Sequence, residues 1–113
     1  MRFAINMAYL VELTVRAVRD LEILYLEKRV AESRAARLWY NGLAEAVSTL
    51  TAHPHRYPIA PEARRTKPPL RHLLYGKRPL VYRIICEIQE PTQTVWVLTI
   101  RHAARRKAQV DRR

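Results

Sequence analysis

The chain has 113 residues, of which 49% are hydrophobic, and a formal net charge of +11 at pH 7. This length suits one domain with a single core, and the apolar content excludes global disorder. The charge is divided unevenly: residues 1–52 carry seven Lys and Arg against six Asp and Glu, whereas residues 53–113 carry fourteen against four. A basic second half predicts a polyanionic partner, either a nucleic acid or an acidic protein surface.

Cys86 is the single cysteine, which excludes an intramolecular disulfide and a cysteine-rich metal site. Its apolar neighbours predict a small buried side chain. No run of about 18 apolar residues occurs, and the first 25 residues include Arg, Glu and Asp, so neither a membrane span nor a signal peptide is expected. We therefore expect a cytoplasmic protein with no membrane partner. Met7 would also serve as a start, which makes residues 1–6 an expected extension outside the fold.

The first half predicts a strand and two helices. Tyr9–Leu13 is a short apolar run, and Thr14 stands where a helix N-cap would. Ser33 is placed to cap a second helix. Apolar residues follow each cap at helical spacing: Ala17, Val18, Leu21, Leu24 and Tyr25 in the first helix, and Ala36, Trp39, Tyr40, Leu43, Val47 and Leu50 in the second. These helices can face each other as a hairpin, or both can lie on a sheet.

Residues 53–69 hold five of the seven prolines, together with four basic residues against the single acid Glu62. No helix is expected at that proline density, so the segment is predicted to be a loop across the surface. Its length admits two interpretations, a functional loop or a solvated linker.

The second half predicts an antiparallel sheet. Strands are expected at Leu70–Tyr75, Leu80–Ile88 and Thr94–Ile100, with turns at residues 76–79 and 90–93. Runs of helices followed by strands indicate an α+β domain with the helices on one face of the sheet. Residues 103–113 form a basic tail, expected to be a short helix or a flexible arm.

Basic side chains on these strands are the candidates for chemistry. Five alternating apolar residues form one face of the middle strand: Leu80, Tyr82, Ile84, Cys86 and Ile88. Arg83 alternates with this row and should project from the opposite face, which we expect to be free. Arginine binds a phosphate bidentately, and histidine carries a proton near neutral pH. Four further side chains come from other strands and can converge near Arg83: Arg71, His72, Arg101 and His102. The alternatives are a salt bridge from Arg83 to Glu87 and an ordinary strand-end role for His102.

Other chemistry is not indicated. With two glycines, the chain has no glycine-rich phosphate loop, and its four histidines lack acidic or cysteine partners at metal-ligand spacing. We therefore expect neither a metal nor a cofactor.

Seven segments, taken in order, resemble the RelE/ParE toxin superfamily over about residues 7–106. They are residues 9–14, 16–21, 39–43, 58–61, 70–76 and 81–84, and the ending Val97-Leu-Thr-Ile-Arg-His-Ala-Ala-Arg105. The resemblance implies a toxin of a type II toxin–antitoxin module, also called a plasmid stabilisation system. It implies an α+β fold with an N-terminal strand, a two-helix hairpin and an antiparallel sheet of three or more strands, as a single domain spanning residues 1–113. It also implies an acidic antitoxin as partner.

The superfamily has two modes of action. RelE-like members are metal-independent, ribosome-dependent endoribonucleases that cut mRNA, and ParE-like members poison DNA gyrase. By resemblance, Arg83 falls on the arginine that RNA-cleaving members use to hold the phosphate, and His102 lies near their C-terminal acid. We expect target binding to involve basic residues of the second half: Lys67, Arg71, His72, Arg101 and Arg105.

The sequence departs from both catalytic patterns of the superfamily. Pro68-Pro69 stands where one subgroup has a glutamate base, and no tyrosine follows Arg101. Only Lys67 and Arg71 lie near the paired lysines of another subgroup. The ending at residues 100–105 is more similar to the ParE type. The alternative outside the superfamily's toxins is a non-toxic basic module that binds nucleic acid.

Overall fold

The computed structural model describes residues 8–63 and 68–104. Within them, strand β1 (Leu10–Leu13) precedes helices α1 (Val15–Glu27) and α2 (Arg34–Ser48). Three strands follow, β2 (Leu70–Lys77), β3 (Leu80–Gln89) and β4 (Thr94–His102). The four strands form one sheet in the order β1-β4-β3-β2, in which β1 lies parallel to β4 and the other pairs are antiparallel. The predicted α+β architecture and its element order are confirmed.

Helix α1 begins at the predicted cap and is attached to β4. The Thr14 hydroxyl accepts the amide proton of Ala17 and donates to the carbonyl of Leu98. Two turns later, the carboxylate of Asp20 accepts hydrogen bonds from the Thr99 hydroxyl and the Ile100 amide. Because these bonds join residues far apart in the chain, they fix the helix against the sheet.

Helix α2 begins after Ser33, whose hydroxyl accepts the amide proton of Ala36. Gly42 lies directly against Tyr75 of β2, where a Cβ would clash with the tyrosine hydroxyl. That hydroxyl donates to the Trp39 carbonyl at 2.6 Å. A residue without a side chain therefore lets α2 approach the sheet closely.

Both helices contribute to the main core, on one face of the sheet. Its buried residues before the loop and in β3 come from the predicted apolar rows, and β4 adds three for which no row was predicted. They are Ala17, Leu24, Leu43, Val47 and Leu50 before the loop, Tyr82, Ile84, Cys86 and Ile88 in β3, and Val95, Val97 and Ile100 in β4. Of the row predicted for β3, Leu80 lies outside this core and is 45% exposed.

The second face of the sheet is covered in part, so the expectation that it is free was wrong for that part, although Leu74 of β2 is 55% exposed there. A smaller core forms on it from Ala60, Leu70, Ile85 and Leu98, with Trp96 packed alongside. Ala60 belongs to the proline-rich segment, which the structure describes as far as residue 63 and which contains the 3-10 turns Pro54–Arg56 and Pro61–Ala63. Its apolar side chains make it an ordered part of the fold rather than a solvated linker over these residues.

A register shift between β3 and β4 sets which β4 side chains share a face with Arg83. Cys86 pairs with Val97, and the next residue back, Ile85, pairs with Thr99, so Leu98 is the additional residue of a bulge. Beyond the bulge, Arg101 pairs with Arg83 and His102 with Tyr82.

No described helix has the length and apolarity needed to cross a membrane. The predicted extension at residues 1–6 and the tail from residue 105 lie outside the described residues.

Candidate functional site

Arg83 is held by two neighbours on the second face of the sheet. Its terminal nitrogens donate to the two oxygens of Glu62, at 2.7 Å and 2.5 Å, and its Nε donates to Nδ1 of His72 at 3.0 Å. The residue is only 8% exposed. A carboxylate bound to both prongs of a guanidinium is the strong, geometrically specific form of ion pair. Arg83 therefore has a fixed orientation and a neutralised charge.

Glu62 reaches Arg83 because the segment before it is attached to the edge of β2. The Ala60 amide donates to the Leu70 carbonyl at 2.8 Å, and the His72 amide donates to the Pro58 carbonyl at 3.0 Å. The turn Pro61–Ala63 then places Glu62 over the sheet. The sequence pattern suggested Glu87 as the partner of Arg83, yet the bidentate carboxylate belongs to Glu62. The one sequence signal for Glu62 was that it is the single acid in a basic loop.

His72 projects from β2 toward the same face as Arg83. Since its Nδ1 accepts a hydrogen bond, the neutral ring must carry its proton on Nε2. Burial and the adjacent Arg83 charge lower the pKa of His72 below its usual value, and Glu62 partly opposes them. His72 is thus a neutral hydrogen-bond acceptor at physiological pH.

Arg101 pairs with Arg83 across β3 and β4, so the two arginines share the second face. Residues directly opposite on neighbouring strands have Cβ atoms about 4.5–5.5 Å apart, a distance at which like charges repel. The Glu62 carboxylate lies on Arg83 and offsets part of this repulsion. The structure therefore brings together three predicted site residues, Arg83, His72 and Arg101.

Arg71 and His102 lie on the other face, toward the helices. Arg71 donates to the carbonyls of His55 and Tyr57, at 3.0 Å and 2.7 Å, so its visible role is to attach the proline-rich segment. His102 is the last residue of β4 and packs edge-on against Tyr82, with 5.1 Å between ring centres. Lys67 and Arg105 lie outside the described residues.

His102 lines a pocket of about 290 Å³ whose lining includes two acidic residues. Asp20 and Glu27 contribute the carboxylates, and Tyr82 and Ile100 lie in the wall. A basic group also lies nearby, since the Lys28 ammonium is 5.5 Å from the centre of the Tyr82 ring. His102 therefore lies near acidic and basic side chains, on the face of the sheet opposite Arg83.

Two further kinds of chemistry are not supported where the structure is described. Complete burial raises the pKa of the Cys86 thiol to about 12, so this group is a packed side chain and not a nucleophile. Residues 8–63 and 68–104 contain no group of three or more His, Cys, Asp or Glu arranged to hold a metal ion.

Solved structures that resemble this fold include a toxin and a toxin–antitoxin complex. The toxin RelE from E. coli, as a free-state arginine-to-alanine double mutant, has a TM-score of 0.56 at 15% identity, over 86% of this chain and 85% of that one. The toxin–antitoxin complex RelBE2 from Mycobacterium tuberculosis has a TM-score of 0.55 at 24% identity, over 87% of this chain and 94% of that one. These identities establish a shared fold.

Family membership comes from the sequence match. The profile of the family described as "ParE toxin of type II toxin-antitoxin system, parDE" matches residues 11–107. No curated protein sequence gives a significant match. Because the family profile covers β1 through β4 and most of the chain, the protein belongs to the ParE toxin family of type II toxin–antitoxin systems, within the RelE/ParE superfamily.

Proposed function

We propose that this toxin arrests growth by binding DNA gyrase and not by cutting mRNA. The observation that carries the proposal is the bidentate ion pair between Glu62 and Arg83. Arg83 stands at the position where RNA-cleaving relatives hold the phosphate, and in this chain the Glu62 carboxylate already binds it. The match to the ParE family supports the same assignment.

The separation of the two candidate catalytic residues also supports this proposal. Cleavage of a phosphodiester requires the phosphate-binding group and the general acid to reach the same reacting group, each within hydrogen-bond distance. Arg83 and His102 come from adjacent strands but from opposite faces of the sheet, since His102 pairs with Tyr82 and Arg83 pairs with Arg101. A single phosphate cannot contact both side chains in this arrangement.

mRNA cleavage is the second candidate function, because Arg83, Arg101 and His72 share one face. Two arginines side by side are a suitable cation pair for an RNA backbone. This function would require Glu62 to leave Arg83, and it would require an acid other than His102.

We also infer an acidic antitoxin as partner and the cytoplasm as the location of both proteins. The RelBE2 neighbour is a toxin–antitoxin complex, and the net charge of +11 suits an acidic segment here. The helices offer apolar side chains for such a segment: Val15, Leu26 and Leu38 are 78%, 74% and 61% exposed. An antitoxin that combines acidic and apolar residues would cover both kinds of surface.

The deciding experiment is inducible expression in a bacterium, with DNA and protein synthesis pulse-labelled separately. Gyrase inhibition should lower DNA labelling first and give filamentous cells, and purified toxin should inhibit supercoiling by gyrase. An early loss of protein labelling with intact DNA labelling would overturn the gyrase proposal in favour of mRNA cleavage. Normal growth would contradict both functions.

The matched variant is the double substitution Glu62→Gln/Arg83→Gln. Removing Arg83 alone would leave Glu62 buried without its counter-charge, at a cost of about 3–5 kcal/mol, whereas removing both charges avoids this cost. We expect the double variant to keep its effect on DNA synthesis. A ribonuclease that relied on Arg83 would instead lose about 100-fold or more in cleavage rate.

A further inference from the structure

The ion pair of Glu62 and Arg83 is buried, although it joins a loop to a strand. The two side chains are 5% and 10% exposed, respectively. Burying two charges costs several kcal/mol per ion, so such a pair is weak evidence for a purely stabilising role. The function of the contact is better sought in what it does to Arg83.

The position of Glu62 is that of a ligand. Its two oxygens bind the two terminal nitrogens of Arg83, which is the geometry in which a guanidinium also binds a phosphate. His72 fixes the guanidinium from the third side through Nε, so its plane is set before any ligand arrives. Arg101 adds a second positive charge at the adjacent register position. Arg83 and its neighbours therefore form an oriented site for an oxyanion, and the Glu62 carboxylate of the same chain is bound in it.

We propose that Glu62 is an intramolecular competitor that holds the oxyanion position of Arg83 and excludes external phosphate groups from the second face of the sheet. A phosphate binds Arg83 only when the Glu62 carboxylate leaves it. The advantage of the internal carboxylate is its proximity, since a tethered group competes at an effective concentration that reaches the millimolar range. The proposal goes beyond gyrase binding and concerns the accessibility of Arg83 whatever the target is.

The test uses the full chain and inorganic phosphate as the probe. Glu62→Gln removes the charge but keeps an amide oxygen that can accept from Arg83, so the turn retains a hydrogen bond. Two quantities are followed during a phosphate titration at constant ionic strength, set with NaCl: the Tm and the NMR chemical shift of the Arg83 Nε–H. We expect a saturable rise in Tm and a shift of the Nε–H in Glu62→Gln, and neither in the wild-type protein.

Two controls isolate the site. Glu45→Gln makes the same charge change at an exposed position on α2, against the other face, and should behave like the wild-type protein. The double variant Glu62→Gln/Arg83→Gln should lose the response gained by Glu62→Gln. If Glu62→Gln unfolds, Glu62→Asp keeps the charge on a shorter side chain, and it should bind phosphate measurably where the wild-type protein does not.

The proposal is overturned if a folded variant at position 62 responds to phosphate no more than Glu45→Gln does, or if the double variant keeps the response. Wild-type protein that binds phosphate at Arg83 as well as Glu62→Gln does would also overturn it. These readouts come from purified protein and phosphate, so their failure is distinguishable from a failure of the gyrase proposal, which is read from DNA synthesis.

Discussion

At the scale of single residues, His72 links pH to stability through its bond with Arg83. Its pKa in the fold lies below the ordinary histidine value of 6.5, chiefly because of burial and then because of the Arg83 charge. The unfolded chain therefore binds this proton more readily, so the stability contributed by neutral His72 is present above pH 6.5 and is lost as the pH falls below it. We expect a lower free energy of unfolding at pH 5.5 than at pH 7, measured by urea denaturation.

His72→Asn is the matched variant for this effect. The asparagine carbonyl can accept from Arg83 near the position of Nδ1, but it does not titrate. The pH dependence of this variant should be smaller than that of the wild-type protein. Equal dependence in the two proteins would assign the effect to other groups.

At the scale of elements, α1 depends on one buried hydroxyl. Thr14 is only 7% exposed, accepts from the Ala17 amide at 3.1 Å and donates to the Leu98 carbonyl at 2.9 Å. Losing a helix cap costs about 1 kcal/mol, and leaving a buried carbonyl without its donor adds roughly 1 kcal/mol. We expect Thr14→Ala to lower the free energy of unfolding by about 2 kcal/mol in urea denaturation.

Ser33→Ala is the control for the capping contribution alone. Ser33 caps α2 through the Ala36 amide at 3.2 Å. Its loss should cost about 1 kcal/mol, and Thr14→Ser, which keeps both bonds, should cost less than Thr14→Ala. A Thr14→Ala cost no larger than that of Ser33→Ala would show that the bond to Leu98 contributes nothing.

At the scale of the whole molecule, the net charge of +11 should control the rate of association with an acidic antitoxin. Charge complementarity raises association rates by long-range attraction, and salt screens it over a Debye length of about 10 Å at 0.1 M. We expect the association rate constant to fall by about tenfold between 50 mM and 500 mM NaCl, with a smaller change in dissociation. Stopped-flow fluorescence with the proposed antitoxin measures both rates.

Lys77 and Arg78 are a useful pair to neutralise, because both are exposed at the turn between β2 and β3. Changing both to Gln should lower the association rate and reduce its dependence on salt. An association rate that does not change with salt would contradict the role of charge in recognition.

Much of the fold could be read from local patterns. Thr14 and Ser33 were predicted as caps, and the apolar spacing after each predicted the helices that the structure contains. Alternation predicted the helix-facing side of β3, where Tyr82, Ile84 and Cys86 are buried as expected. These features depend on residues close in sequence, so a sequence pattern is sufficient to reveal them.

Only part of the candidate site could be predicted from local sequence patterns. The sequence identified Arg83 and placed it on the face away from the main core. It did not reveal Glu62, which lies 21 residues before Arg83 in the chain. A repeating sequence pattern relates residues within one helix or strand, and it cannot relate a loop residue to a distant strand. Nor did the sequence reveal that Ala60 and its neighbours cover part of that face.

The sequence alone determined the element order, the helix caps, most of the main core and the family. The tertiary structure alone decided which candidate side chains meet. The bulge at Leu98 moves every later β4 residue by one position relative to β3, and side chains in a strand alternate between faces. That shift puts Arg101 beside Arg83 and places His102 on the opposite face. The alternation of residues along β4 does not show where a bulge occurs, so the sequence could not predict this shift.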